Sequence, residues 1–288
     1  MVLESITNPL KAENKPSRLF IIGFLYVSVA ILLSLWIFKE KASLIMVFLT
    51  VLAAIPLMVN TMKLEEEKDK MTASELPLLK EHSKALKFFI VLFLGMLFAF
   101  ALWFVFLPKD LTQTTFETQL ETISSINSKI LGNAPAKISI TNPGLVSRIF
   151  FNNMKVLTFA IIFSLFYGAG AIFILTWNAS VIGAAIGTLI RNGLAEYTAT
   201  IGLTKAVTYF SIFSISLLRY LIHGIPEIIA YFIGGLAGGI ISVAIINQDY
   251  KDKNFKRIAT DSLDMVMLAI FILFIAAIME VYLTPAIF

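Results

Sequence analysis

The chain has 288 residues, 58% of them hydrophobic and 15% charged, with a net charge of +4 and no cysteine. Ordinary soluble domains carry about 45–50% apolar and about 25% charged residues, so this balance points away from a soluble globule and toward the membrane. The missing cysteine excludes disulfides, thiolate metal sites and thiol nucleophiles, and the positive charge fits lysines and arginines kept at the cytoplasmic face better than it fits a nucleic-acid partner.

The apolar residues come in blocks of roughly 20, the span of a hydrocarbon core. The fold class read from them is all-α: a polytopic helical membrane protein of about seven transmembrane helices plus a re-entrant half-helix. The first block, 19–38, follows a polar stretch carrying Lys11, Lys15 and Arg18. It is too long for the apolar core of a cleaved secretory signal and reads as a retained helix. After a KEK turn at 39–41, a second span at 43–62 closes a hairpin and holds Pro56, which neighbouring helices can accommodate. Residues 63–87 are the most charged part of the chain. Thr72 and Glu75 make a capping-box pattern, and Leu76, Leu79 and Leu86 suggest an amphipathic helix lying along the membrane. His82, among lysines and glutamates, reads as a surface residue.

A third span, 88–107, ends at Pro108. The first part of the polar segment 109–148 carries Leu120, Ile123, Ile126, Ile130 and Leu131 at helical spacing, which argues for one amphipathic helix, and the segment is expected to fold as a cap over the membrane helices. The fourth span is placed at 156–177, with Gly168 and Gly170. The next apolar piece, 178–190, with Gly183 and Gly187, is short for a crossing and reads as a half-helix that returns to its own side. A link at 191–205 leads to spans at 206–222, 225–246 and 263–283. Three regions follow: 1–108, a three-helix membrane region with a cytoplasmic charged loop; 109–148, an extracytoplasmic cap; and 149–288, a second membrane domain. Gly234, Gly235, Gly238 and Gly239 form two overlapping GxxxG spacings, which let another helix approach closely. The basic loops, among them KDKNFKR at 251–257, fall on the side of the N terminus, which is therefore expected in the cytoplasm.

The stretch 219–239, RYLIHGIPEIIAYFIGGLAGG, sets ionisable residues inside an apolar run. Such groups cost roughly 2.5–3.5 kcal/mol each on insertion scales, so they face a protein interior, a partner or a watery cavity. His223 and Glu227 fall at the junction of two spans, Arg219 lies one helical turn before His223, Glu280 is near the end of the last span, and Asn152 and Asn153 precede the fourth. Matching depths predict one intramembrane polar cluster beneath the cap. Three readings of it stay open. The carboxylates can be structural, with Glu227 paired to Arg219 or His223 and favoured by the helix dipole after Pro226. They can be protonatable or cation-binding groups of a transporter or channel for an ion or small solute. In an enzyme, His223 would be a base. No paired zinc ligands, GxSxG or P-loop accompany it, so no catalytic residue, metal or cofactor is expected.

FFNN before a span, Gly168 and Gly170, Asn178 with Gly183, HGIPEIIA with glycines behind it, and a final span ending AAIMEVYLTP together resemble the stage II sporulation protein M family. The resemblance covers roughly residues 148–285. It implies an integral membrane protein without catalytic activity of its own. The sporulation member is understood as an anchor that brings peptidoglycan-degrading partners to the septal membrane during engulfment. The expectation is therefore a multi-pass protein of the cell membrane, a non-enzymatic organiser whose partners are the lipid bilayer, membrane or envelope proteins and a second copy of itself.

Overall fold

The structure, a computed structural model, describes residues 17–71, 75–131, 143–167, 171–196, 203–247 and 254–287. All the elements described are helical: α1 (Ser17–Ile37), a 3₁₀ turn (Lys39–Lys41), α2 (Ala42–Met71), α3 (Glu75–Phe106), α4 (Lys109–Thr115), α5 (Glu117–Leu131), α6 (Pro143–Tyr167), α7 (Ala171–Glu196), α8 (Leu203–Ile246) and α9 (Asn254–Ile278). A π-helical turn, Met279–Leu283, continues α9 into the short α10 (Thr284–Ile287). Helices are the open-chain solution in lipid because they satisfy every backbone group internally. Seven of them are long and apolar enough to cross a bilayer: α1, α2, α3, α6, α7, α8 and α9. The chain is an all-α, multi-pass membrane protein.

The blocks carry little amphipathic signal because both faces of each helix are apolar. In α1, Ile21, Leu25, Val29, Leu32 and Trp36 form an exposed stripe, while Leu19, Gly23, Val27, Ile31 and Ser34 are buried. One face meets lipid and the other meets the bundle. Polar side chains inside these helices are satisfied locally: Thr50 Oγ1 donates to the Met46 carbonyl at 2.8 Å and Thr61 Oγ1 to the Leu57 carbonyl at 2.9 Å. Between helices, Trp103 Nε1 donates to Ser28 Oγ at 3.0 Å.

Contacts fix the relative directions of the helices. Gly95 of α3 lies against the backbone of Phe20, and Trp103 reaches Ser28, so α1 and α3 run parallel. Gly183 and Gly187 of α7 face Phe100 and Phe104, so α7 runs parallel to α3 as well. Gly234 and Gly238 of α8 face Leu157 and Ile161 of α6, which makes that pair parallel. Phe89 stacks on Phe232 at 5.4 Å between ring centroids, while Leu97 and Leu221 line one crevice, so α3 and α8 are antiparallel. This is the parity of seven successive crossings.

Three expectations need correction. Residues 178–190 are not a re-entrant half-helix. They are the middle of α7, which is long enough to cross, and the fourth span at 156–177 is divided between α6 and α7. Asn178 does not break the helix, because its Nδ2 donates to the Ile174 carbonyl one turn back at 2.7 Å. The residues that join α6 to α7, with Gly168 and Gly170, lie outside the described residues. Next, 206–222 and 225–246 are one helix of 44 residues, α8, with Pro226 inside it. At 1.5 Å per residue it is about 66 Å long, roughly twice a hydrocarbon core. The link after α7 therefore moves to the side opposite KDKNFKR, while the count of seven crossings is unchanged.

The segment 109–148 begins as two helices, α4 and α5, and not one. Phe116 between them is buried against Phe104 and Phe100, at centroid distances of 5.0 and 6.4 Å. Gln119 Nε2 donates to the Ser43 carbonyl at 3.1 Å and to Ser180 Oγ at 3.2 Å. These helices pack on α2 and α7. Residues 132–142 lie outside the described residues.

Candidate functional site

Two local irregularities face each other. Pro226 has no amide hydrogen, so the Ile222 carbonyl loses its partner one turn on, yet α8 continues through it. On α9, the π-helical turn Met279–Leu283 widens the backbone spiral, a departure that recurs at functional positions. Each irregularity carries a carboxyl: Glu227 follows the proline, and Glu280 is in the π turn.

The two carboxyls lie within hydrogen-bonding reach of one another. A third helix joins them, because Asn153 Nδ2 of α6 donates to Glu227 Oε1 at 2.5 Å. Asn153 is buried, and both glutamates are partly buried. Tyr231, one turn beyond Glu227 on α8, is buried beneath the pair. One turn before Glu227, His223 Nδ1 stands 3.1 Å from Thr284 Oγ1, whose hydroxyl also reaches the Met279 carbonyl at 3.2 Å. With that hydroxyl hydrogen given to Met279, the imidazole Nδ1–H is the donor to Thr284. Two polar links thus tie α8 to the end of α9, one turn apart.

The structure brings together Asn153, Glu227 and Glu280, with His223 one turn away. Asn152 is exposed and points elsewhere, because neighbours on a helix are about 100° apart and only one of the two asparagines can face the carboxyls. The side chains of Arg219 and His82 lie outside the described residues. The site is also not at a junction of two spans, since α8 is unbroken, and the described cap helices α4 and α5 rest on α2 and α7, away from the carboxyls. Among the described residues no group of three or more histidines, aspartates and glutamates is arranged to hold a metal.

The glycines are sites of close approach. A Cβ on Gly238 would lie 2.6 Å from the Ile161 carbonyl oxygen, and one on Gly234 would collide with Leu157. On α7, a Cβ at Gly183 or Gly187 would meet Phe100 or Phe104 at 2.6 Å. Gly235 and Gly239 are buried in the same stretch of α8. Gly23 of α1 against the Leu92 backbone and Gly95 of α3 against the Phe20 backbone make the tightest such contacts and carry no GxxxG signature. Arg191 was equally hard to single out in the sequence. Its guanidinium donates to the Leu107 carbonyl, to the Val105 carbonyl at 3.2 Å and to Thr112 Oγ1 at 3.0 Å, and it lies over the Phe104 ring. With Thr112, whose hydroxyl also lies 3.1 Å from the Leu107 carbonyl oxygen, it closes the end of α3.

The stage II sporulation protein M pattern matches residues 85–285, from within α3 to α10. The match starts well before the motif-bearing stretch 148–285 and includes Asn153, Glu227 and Glu280. An uncharacterized protein of Methanocaldococcus jannaschii is 30% identical over 173 residues, which is 58% of this chain and 84% of that protein. No solved structure matches the chain.

Proposed function

Because this chain belongs to the stage II sporulation protein M family, we propose that it is a non-enzymatic membrane organiser, an anchor that positions partner proteins in cell-envelope or membrane remodelling. The observation that carries this reading is the filling of the bundle. Phe88, Phe89, Phe100, Phe116 and Phe232 are fully buried, and glycine contacts close the gaps between α6 and α8 and between α3 and α7. The polar cluster is about two helical turns deep, and a solute path would need polar groups along the whole crossing. In this reading the N terminus is cytoplasmic, the C terminus is outside, and assembly with membrane or envelope proteins or with a second copy occurs through lipid-facing helices.

In-cell photo-cross-linking tests it. Probes at Phe151, Phe159 and Phe166 of α6 and at Leu263, Met267 and Phe271 of α9, all exposed apolar positions, should give the same discrete protein adduct from one contiguous face. Lipid adducts alone at every position would overturn the reading. A second reading, transport of an ion or small solute, is favoured by one feature: the Glu227–Glu280 pair sits where Pro226 and the π turn each depart from regular α-helical hydrogen bonding. Solute flux abolished by Glu227→Gln would establish it instead.

A further inference from the structure

We propose that Glu227 and Glu280 hold one exchangeable proton between them, and that this proton is a pH-sensitive clasp joining α8 to the π turn of α9. A carboxylate has acceptors only, so a hydrogen bond between two carboxyls requires a proton on one of them. Glu227 Oε1 is already an acceptor for Asn153 Nδ2. The clasp proton is therefore carried on Glu227 Oε2 or on Glu280. Its loss leaves two negative charges facing each other, with Asn153 the one amide donor to them among the described side chains, in surroundings that solvate them poorly.

Among the described side chains, the groups around the pair allow no ready substitute for the proton. From α6 comes the neutral amide of Asn153, while Arg148 and Lys155 on that helix are exposed. From α8 come Tyr231 and His223, and His223 Nδ1 is engaged with Thr284 Oγ1. From α3 and α7 the side chains that meet this part of α8 are apolar: Ile90, Phe93, Leu94, Leu97 and Ile182. On both sides the backbone hydrogen bonding already departs from the regular α-helical pattern, at Pro226 on α8 and in the π turn after α9. Repulsion is then relieved by separation of the two helix segments at these points. Gly224, one turn before Glu227 and on a neighbouring part of the same face of α8, adds room, since nothing lies within 4 Å of where its Cβ would be. The clasp does not depend on the organiser reading and holds equally if the protein conducts a solute.

The chain has no cysteine, so spin labels can be placed at chosen positions in the full-length protein in lipid nanodiscs. Labels at Leu218 and Tyr282, both exposed, report the separation of α8 from the π turn. The longer-distance population should grow from about a tenth or less at about pH 5 to a majority at about pH 10. In Glu227→Gln with Glu280→Gln, whose amides hydrogen-bond without a titrating proton, the short distance should persist throughout. Infrared spectra of the native protein should show a protonated-carboxyl band that shifts in heavy water and fades with the same midpoint, and the double variant should lack it. A native protein with no such band, or with a distance unchanged across the range, would overturn the clasp. So would a pH response that survives in the double variant. The native measurements decide the matter even if the variant fails to fold.

Discussion

Glu227→Ala removes two interactions at once. Asn153 Nδ2 loses the acceptor it holds at 2.5 Å, and the Glu280 carboxyl loses its neighbour. A polar group left without a partner away from water costs about 1–3 kcal/mol, so two of them place Glu227→Ala at about 2–6 kcal/mol. Glu227→Gln keeps an acceptor oxygen for Asn153 and offers an amide donor to Glu280, so its loss should be about 1 kcal/mol or less. Asn153→Ala removes the orphan that Glu227→Ala creates. The double variant should therefore cost less than the sum of the singles by about 1–3 kcal/mol, the coupling expected of residues in one hydrogen-bonded network. Reversible unfolding in mixed micelles, followed by helical signal, measures all four species. Equal losses for Glu227→Ala and Glu227→Gln, together with strict additivity for Asn153 and Glu227, would refute the bonding described.

Other expectations follow from packing and direction. Gly238→Ala pushes a methyl group to 2.6 Å from the Ile161 backbone oxygen and should cost about 1–3 kcal/mol, whereas Gly224→Ala enters open space and should be neutral or stabilising by up to about 1 kcal/mol. The same unfolding assay ranks them. Arg191→Ala removes the one nitrogen, Nη2, that serves the Leu107 and Val105 carbonyls and Thr112, and should cost about 1–3 kcal/mol, read as earlier thermal unfolding. Cysteines placed at Lys39 and Asn192 should be labelled from the same side of the membrane, and one at Lys256 from the other. Labelling of Asn192 with Lys256 would restore the re-entrant reading of 178–190.

The class of the fold and its family were legible in the sequence because both rest on features that survive without coordinates: apolar blocks of bilayer length, and motifs such as HGIPEIIA. Helix boundaries were less legible, for physical reasons. Asn178 looks like a break in an apolar run, but its amide bonds back to Ile174 and leaves the helix intact. Pro226 looks like a boundary after His223 and Gly224, but the helix needs to give up only one backbone bond to pass it. The depth argument set both carboxyls near one end of the bundle, and in the structure they touch. It could not choose between Asn152 and Asn153, because that choice depends on the rotation of α6 about its axis. Arg191, Gly23 and Gly95 have no local pattern at all, since their partners are remote in sequence.

The organiser reading is tested most directly by flux. Purified full-length protein in sealed proteoliposomes, with a pH-sensitive or sodium-sensitive dye inside, is given an inward gradient of protons or sodium. The account predicts traces that match protein-free vesicles, and the same traces for Glu227→Gln. Rapid flux from the native protein that disappears in Glu227→Gln would contradict it and assign the carboxyl pair to a conduction path.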